Sequence, residues 1–559
     1  MWSQNYNPTG SAIVSTLLAA VPVFILLGGL GIFHIPAHIA ALGGMIAALA
    51  IAVFVFDMPT SMAGTAALFG GTFGVLGIVW IIVNLMFLYR MTEKAGLFAI
   101  LQDSIAGITN DKRLQLLLIA FCFGAFFEGA AGGGTPVALT GAILIGLGFS
   151  PLAASGLSLI ANTAPVAYGG LGTPIIVLHS VTQPDNPDYL LTLSAMVGRQ
   201  LPFFSLLVPF WLIIAFVGWK RTKDIWPAIL VSGGSFALCQ FLISNFHGPW
   251  LVDMLSAMIS IVVTALFLRV WHPAEVWVSA SGKGNTISWA ESERTRTAHS
   301  HSKAEVIAAW TPWVILTLIL FLWGLPQIKA LLNIKGVTYF EHAWNGLHNL
   351  VQRVAPVVMN AKPEGAVLKY GWLSATGTGI LIAALVSGFV MKLSVGQMIK
   401  TYGENLAAMK TSIITIVAML ALGYTTRYSG MDATMGLAFA NTGWLYPFFG
   451  TLIGWVGVAL TGTDAASNAL FGSQQQITAN QLGLSPTLMA AANSSGGVMG
   501  KMIDAQSIVV AGVATGFVGK EGIILRYVFW HSIALASLVG VLVMLQAYVW
   551  PFTALVLKP

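Results

Sequence analysis

Residues 126 to 139 read FFEGAAGGGTPVAL, so that one acid, Glu128, stands beside a run of small residues inside an otherwise apolar segment. This run divides the segment 114 to 149 into two apolar arms, each shorter than the roughly 20 residues that a membrane-spanning helix needs. Two short arms around a break fit a helical hairpin that enters the membrane and returns to the same side. We therefore predict a re-entrant hairpin with Glu128 at its tip.

A second region repeats the pattern of the first. Residues 460 to 471 read LTGTDAASNALF, with Asp464 in the place of Glu128. Further matched motifs follow the two acids at nearly equal distances: GFSP (148 to 151) with GLSP (483 to 486), and ANTAP (161 to 165) with ANSSG (492 to 496). The repeat predicts polar side chains at matched helix breaks, where they either bind a substrate or cap the helix ends. These side chains belong to Asn162, Thr163, Asn493 and Ser494.

The composition predicts a membrane protein. Hydrophobic residues make up 57% of the 559 positions and charged residues only 8%, whereas a soluble domain carries roughly a quarter charged residues. Segments without any charged residue recur along the chain: 11 to 33, 38 to 56, 60 to 89, 201 to 218, 225 to 252, 306 to 328, 371 to 391 and 527 to 557. We therefore predict an all-α polytopic membrane protein with about 12 to 14 helices.

The basic residues predict how the chain is oriented in a bacterial inner membrane. Most of them lie in short segments between the apolar ones: 90 to 113, 219 to 225, 269 to 305, 392 to 410 and 520 to 526. Because cytoplasmic loops collect Lys and Arg, we place these segments inside and both termini outside. The segment 326 to 370 is then external despite its basic residues, since long loops cross the membrane largely regardless of charge.

The same orientation predicts two inverted halves. The helix that ends at Tyr89 runs from outside to inside, whereas its counterpart near 411 to 426 runs in the opposite direction. The polar segment 272 to 305 is then a cytoplasmic linker between an N-terminal half, 1 to 271, and a C-terminal half, 306 to 559. Inverted repeats with broken helices are typical of secondary transporters, which bind their substrate where the repeats meet.

Other classes of protein find little support in the sequence. The motifs of zinc proteases, P-loop proteins and serine hydrolases are missing, and the chain has only two cysteines, both in apolar segments. The formal charge of +6 is spread between membrane segments, which does not predict a nucleic-acid partner. We predict that the protein is not an enzyme and that it uses neither a cofactor nor a metal ion.

Charged residues within apolar sequence are the candidates for chemistry, because a charge in the bilayer is costly. Glu128, Asp464 and Asp504 are candidate proton carriers. Asp504 follows Lys501 by three residues, so an ion pair or a helix cap is an equal alternative for it. Lys501 and Arg199 are candidates for binding an anion, and Arg199 alternatively extends to the membrane interface.

Together these motifs resemble the lactate permease family of bacterial transporters over nearly the full length. The resemblance lies in WSQNYNPTG, FCFGAFFEGAAG, NTAPVAYG, MVGRQLPF, WLSATGTGIL, LTGTDAASNALF and GGVMGKMIDAQSI. It implies proton-driven symport of L-lactate, D-lactate and glycolate. A sodium-coupled carrier, or one for a different small carboxylate, is the alternative, because Asn and Thr side chains with unwound carbonyls also suit sodium.

Two further expectations follow from resemblance. The paired polar breaks are similar to those of the wider ion-transporter superfamily, which implies hairpins that move with the substrate and a scaffold that forms a homodimer. The first hairpin departs from the family pattern GAAGFGAP, because Gly133 replaces the aromatic residue and Thr135 the alanine. A looser tip with an added hydroxyl implies a larger or more hydroxylated acid, so Gly133 and Thr135 are candidate substrate-binding residues.

Overall fold

A computed structural model of the chain describes residues 1–31, 33, 35–130, 132, 134–280, 284, 286–295, 301–358, 360–517 and 520–557. Helices account for most of it, which confirms the predicted helical, polytopic architecture. The helices of the first half are α1 (Ala12–Gly31), α2 (Ala37–Phe54), α3 (Thr60–Phe73), α4 (Trp80–Lys94), α5 (Leu97–Ala106), α6 (Lys112–Leu116), α7 (Gly124–Ala130), α8 (Thr135–Gly146), α9 (Pro151–Ala161), α10 (Gly169–Thr182), α11 (Pro187–Val197), α12 (Leu201–Thr222), α13 (Trp226–Phe246) and α14 (Val252–Val270).

The second half continues the same pattern. Its helices are α15 (Trp289–Thr295), α16 (Lys303–Gly324), α17 (Pro326–Leu332), α18 (Thr376–Val390), α19 (Val395–Ser429), α20 (Met431–Phe439), α21 (Tyr446–Thr461), α22 (Asp464–Gln481), α23 (Pro486–Gly500), α24 (Ala505–Ala514) and α25 (Glu521–Tyr548). Two π-helical turns, Gly74–Val79 and Leu117–Phe123, join α3 to α4 and α6 to α7, so that each pair forms one longer rod.

Most of the apolar helices coincide with charge-free segments of the sequence, whereas α14 and α19 lie largely outside those segments. Within the described ranges, seven helical stretches are long and apolar enough to cross a bilayer: Thr60–Lys94, Lys112–Ala130, Pro187–Phe246, Val252–Val270, Lys303–Trp323, Val395–Ser429 and Glu521–Tyr548. Shorter apolar helices include Ala12–Leu26, His38–Phe54 and Thr376–Val390, which lie in three more of the predicted segments. The protein is therefore a multi-pass membrane protein.

Short strands occupy the polar segments between helices, a feature that the sequence did not predict. They are β1 (Trp2–Ser3), β2 (Glu275–Trp277), β3 (Thr286–Ser288), β4 (Tyr339–Ala343), β5 (Val351–Arg353), β6 (Lys362–Pro363) and β7 (Val367–Gly371). β2 pairs with β3 and β4 with β7, both antiparallel, while β5 pairs antiparallel with β6 and parallel with β1. The described strands lie in the N-terminal segment, the predicted linker and the predicted external segment.

The first re-entrant hairpin is present, as predicted. α8 folds back along α7 and the π-helical turn, and a Cβ built on Gly124 would lie 3.4 Å from the Thr140 methyl group. Glu128 lies in the last turn of α7, just before the chain reverses. The missing side chain of Gly124 permits this close approach, which suits two apolar arms without a hydrophobic driving force between them.

A second hairpin is formed by α21 and α22. The Gln475 side-chain amide donates to the Gly450 carbonyl at 2.7 Å, and the Tyr446 hydroxyl donates to Gln475 at 2.6 Å. The chain reverses at Gly462, whose φ of 79° is readily adopted only without a Cβ. Asp464 therefore follows its turn, whereas Glu128 precedes the turn of the first hairpin.

The bases of the two hairpins contact segments that we predict to lie on opposite sides of the membrane. At the base of the first, Arg113 donates to the Arg221 carbonyl at 2.9 Å, within a predicted cytoplasmic segment. At the base of the second, Gln481 donates to the Pro356 carbonyl at 2.8 Å, within the predicted external segment. An inverted repeat requires this arrangement, and the repeat itself stays a prediction.

The predicted halves are separate along the chain but not in space. α2 and α3 of the first half pack against α19 of the second, and α10 packs against α22. A hydrogen bond of 3.1 Å from Asn468 to the Pro174 carbonyl joins α22 to α10 at the level of the hairpin turns. The division at 272 to 305 stays a prediction about the chain, while the folded halves interlock.

Candidate functional site

Helix breaks lie beside the two hairpin turns. The first separates α9 from α10, where Pro151–Ala161 and Val166–Thr182 meet at a bend of 64°. Asn162 and Thr163 stand at its start, as predicted. The second break separates α23 from α24 and begins at Lys501. Unwound backbone inside a membrane protein leaves N–H and carbonyl groups free to bind a ligand, because the helix no longer pairs them.

The prediction that Asn493 and Ser494 stand at the second break is wrong. Both lie inside α23, which continues to Gly500. The Asn493 amide donates to Asn468 at 2.9 Å, and the Ser494 hydroxyl hydrogen-bonds Asp464. Polar side chains can interrupt a helix when they hydrogen-bond its backbone groups. Asn493 and Ser494 hydrogen-bond side chains of α22 instead, so α23 is not interrupted.

Asp464 is held by side chains of α22 and α23. One carboxylate oxygen, Oδ2, accepts hydrogen bonds from Ser494 and, at 3.3 Å, from Asn468. The other, Oδ1, has no hydrogen-bond partner among the described residues and faces Gly497, where a Cβ would lie within 2.4 Å of it. A half-satisfied buried carboxylate is costly when it is ionised, which marks Asp464 as a functional candidate.

Glu128 lies against the first helix break. Asn162 donates to its Oε2 at 3.1 Å, and Oε1 abuts Gly169, where a Cβ would lie 2.4 Å from it. The next three residues, 170 to 172, all have left-handed backbone angles, and Leu171 among them has a φ of 58°. Such a conformation costs a non-glycine residue about 1–2 kcal/mol, and strain of this kind is typical of functional sites.

Lys501 and Asp504 close the second break. The Lys501 ammonium donates to the Gly462 carbonyl at 2.6 Å, which ties the break to the turn of the second hairpin. The same group lies 3.4 Å from Asp504, and Asp504 caps α24 by accepting from the Ser507 N–H at 2.7 Å. The pairing and capping that we weighed as an alternative for Asp504 are thus present, and its role in proton coupling stays a prediction.

The structure brings the predicted acids and the lysine into one cluster. Glu128 interacts electrostatically with Lys501 and Asp504, and Asp464 interacts with Glu128 and Lys501. None of these four side chains is more than 4% exposed. The described part of the cluster therefore holds three carboxyl groups around one ammonium group, closed off from solvent. Opposed charges in a dry interior interact strongly, so adding or removing one charge has a large effect.

The remaining candidates lie outside this cluster. Arg199 donates to Asn245 at 3.0 Å and to the Leu555 carbonyl at 3.2 Å, beside a cavity of about 270 Å³ with apolar walls. Arg199 therefore contacts Asn245 near the end of α13 and Leu555 after α25, and it does not contact the cluster. Thr135 is half-buried at the start of α8, and its N–H donates to the Gly132 carbonyl at 3.1 Å. Gly133 lies outside the described residues.

Asp253 is a site residue that sequence reasoning missed. It is 1% exposed in the first turn of α14 and packs against Gly129, next to Glu128. Both of its carboxylate oxygens lack a hydrogen-bond partner among the described residues. The charge-free segment 225 to 252 ends just before Asp253, so this residue was not among the charged residues considered within apolar sequence. The apolar segment 254 to 268 follows Asp253 directly. That segment was the signal that this acid lies at the start of a further membrane helix.

Broken helices, facing hairpins and a buried charged cluster in a multi-pass helical protein define a membrane transporter. The sequence profile of the L-lactate permease family matches residues 15–550. The chain therefore belongs to the L-lactate permease family, whose members are transporters and not enzymes. This confirms the resemblance that the sequence motifs carried.

Individual relatives are similar over almost the whole chain. Glycolate permease GlcA of Escherichia coli is 46% identical over 555 residues, covering 98% of each chain. The L-lactate permease of Bacillus subtilis is 42% identical over 560 residues, covering 98% of this chain and 99% of its own. Among solved structures, Neisseria gonorrhoeae MtrF aligns with a TM-score of 0.46 and 12% identity over 95% of this chain and 98% of its own. That last likeness is too distant to carry an argument.

Proposed function

We propose that the protein transports lactate and related 2-hydroxymonocarboxylates, including glycolate, in symport with protons across a bacterial inner membrane. The substrate class rests on the family and on relatives named for L-lactate and glycolate. The coupling rests on the charge of the buried cluster.

The observation that carries the coupling is the excess of acids over cations. Glu128, Asp464 and Asp504 face one Lys501, so the ionised cluster already holds more negative than positive charge. A substrate carboxylate adds another negative charge to a closed, low-dielectric site, which is unfavourable unless acids are neutralised. Protons bound to Glu128 and Asp464 remove this obstacle. The anion and the protons therefore enter together.

The cluster also supplies groups that hold a carboxylate. Lys501 provides a cation, and the break after Asn162 provides backbone N–H groups next to the left-handed turn at 170 to 172. Thr135 lies outside the cluster, and its hydroxyl stays a candidate for binding a hydroxyl of the substrate. In this proposal Glu128 and Asp464 carry protons, while Lys501, Asn162 and Thr163 bind the anion.

The first prediction concerns the proton. Glu128→Gln retains the shape and the hydrogen bond to Asn162 but cannot ionise, so uphill accumulation under a proton gradient is lost while lactate–lactate exchange continues. Radiolabelled lactate uptake into proteoliposomes, with and without an imposed inward proton gradient, measures both activities. We expect the initial rate of proton-driven uptake to fall roughly a hundredfold, the scale of losing a proton-transfer group.

Two controls separate coupling from damage. Asp224→Asn removes a partly exposed acid at the cytoplasmic face, and we expect accumulation in this variant to match the unmodified protein. Wild-type uptake that responds to an inward sodium gradient and not to a proton gradient would select the sodium-coupled alternative. An unchanged pH dependence in Glu128→Gln would remove Glu128 from the coupling mechanism.

A further inference from the structure

Asp253 is buried without any group that compensates its charge. It is 1% exposed, and neither carboxylate oxygen meets a hydrogen-bond donor among the described residues. An ionised carboxylate left in this state costs several kcal/mol, whereas a neutral one is tolerated. A structural acid would have a hydrogen-bonding or charged partner, as Asp111 has in Arg113. Asp253 needs a different explanation.

The position of Asp253 points to Glu128. Its Cβ lies 2.9 Å from where a Cβ on Gly129 would be, so α14 contacts α7 at the residue after Glu128. The titratable groups that interact with Asp253 within the described ranges are Glu128 on α7 and Tyr168 in the turn before α10. The Tyr168 hydroxyl donates to the Ser194 carbonyl at 2.7 Å and is thus already engaged. Glu128 is the remaining partner.

We propose that Asp253 and Glu128 form a proton-sharing pair, in which one proton passes between their carboxyl groups during each transport cycle. The O–H bond on one side chain breaks as an O–H bond forms on the other, and no electrons are transferred. Two neighbouring buried carboxyl groups favour a single shared proton, because like charges resist ionising together. Asp253 extends the proton route from the cluster toward α14.

This inference rests on the proposed proton coupling and is tested on the full-length protein in proteoliposomes. Asp253→Asn retains the side-chain shape but removes the second proton position. We expect lactate exchange within about twofold of wild type, and an initial rate of uptake driven by a proton gradient that is lower by roughly tenfold or more. Asp253→Glu retains a carboxyl group and should restore accumulation with a shifted pH profile.

A matched control and a second readout keep the outcomes distinct. Asp432→Asn alters another buried acid, one that accepts a 2.5 Å hydrogen bond from Ser473 outside the cluster, and should leave coupling unchanged. Infrared spectra of the purified protein should contain a protonated carboxyl band that Asp253→Asn loses. Retention of both the band and the wild-type pH dependence in that variant overturns the proton-sharing pair. Failure of the wild-type protein to accumulate lactate under a proton gradient instead overturns the proposed function.

Discussion

Lys501 shows how much one residue contributes to the cluster. Its ammonium group donates to the Gly462 carbonyl at the turn of the second hairpin. The same group pairs with Asp504 in the break between α23 and α24. It also interacts electrostatically with both Glu128 and Asp464. A lysine is a compact charge on a flexible stem, which lets one side chain reach several acids.

We expect Lys501→Met to raise the KM for lactate. The variant removes a charged hydrogen bond worth about 1.5–3 kcal/mol, which corresponds to roughly tenfold or more in affinity. Initial uptake rates over a range of lactate concentrations measure the effect. Lys501→Arg retains the charge and should lose less, and the exposed Lys520→Met should leave the KM unchanged. Equal KM values in all three variants would contradict a role for Lys501 in binding.

At the scale of elements, α21 and α23 cross in close contact through glycines. A Cβ on Gly454 would lie 2.0 Å from the Asn493 carbonyl oxygen, and a Cβ on Gly496 would lie 2.2 Å from the Thr451 oxygen. Gly500 approaches the Trp455 carbonyl in the same way. Small residues allow membrane helices to approach closely, and here they hold Ser494 of α23 against Asp464 of α22.

Gly454→Ala should therefore destabilise the protein even though alanine favours helices. Its methyl group meets a backbone oxygen, and overpacking of this kind costs about 1–3 kcal/mol. Gly234→Ala is the matched control, because Gly234 is also inside a helix and a Cβ there meets no atom within 4 Å. We expect a lower Tm in detergent for Gly454→Ala only. A Tm equal to that of the control would show that the helices can separate without cost.

At the scale of the whole molecule, a buried ion network holds the segment 326 to 370, which we predict to be external, to the helices. Arg427, near the end of α19, donates to Glu364 at 2.8 Å and to the Val181 carbonyl of α10 at 2.8 Å. Arg353 of β5 lies 2.8 Å from the same carboxylate. Gln4, next to β1, donates to the Arg427 carbonyl at 2.9 Å. One network thus joins the N-terminal segment, the strands of the predicted external segment and two membrane helices.

This network predicts a pH-dependent stability. Burial alone would raise the pKa of Glu364, but Arg427 and Arg353 outweigh it and hold that pKa below its ordinary value of 4.5. A carboxyl group with a lowered pKa stabilises the fold fully above the ordinary value, and this contribution is lost as the pH falls through the lower one. Glu364→Gln should cost about 3–5 kcal/mol at neutral pH, because it leaves buried arginines unpaired.

Thermal unfolding in detergent between neutral and acidic pH measures this effect. The Tm of the wild-type protein should fall below pH 4.5, whereas Glu364→Gln should start lower and lose less over the same interval. The exposed Glu341→Gln, in β4 of the same external segment, is the control and should follow the wild-type curve. Parallel curves for wild type and Glu364→Gln would assign the stability to other groups.

Several features were predictable from the sequence because they depend on local composition. Long apolar segments favour a bilayer wherever they occur in the chain. The run of small residues after Glu128 divides one such segment into two short arms, which favours a hairpin. The helix break at Asn162 and the candidate roles of Glu128, Asp464 and Lys501 follow from polar residues in apolar sequence, because membrane helices tolerate such residues only where they serve a function. Fold class, family and the principal charged residues were therefore determined by the sequence alone.

Only the tertiary structure decided which polar groups meet. Asn493 and Ser494 hydrogen-bond residues of α22, and α23 continues unbroken through them. Arg199 donates to Asn245 and lies outside the cluster. Asp253 became a neighbour of Glu128 through contact between α14 and α7, which are far apart in sequence. Hydrophobicity is a property of a segment, whereas a hydrogen bond or a charge pair needs two groups whose distance is set by the packing of the whole chain.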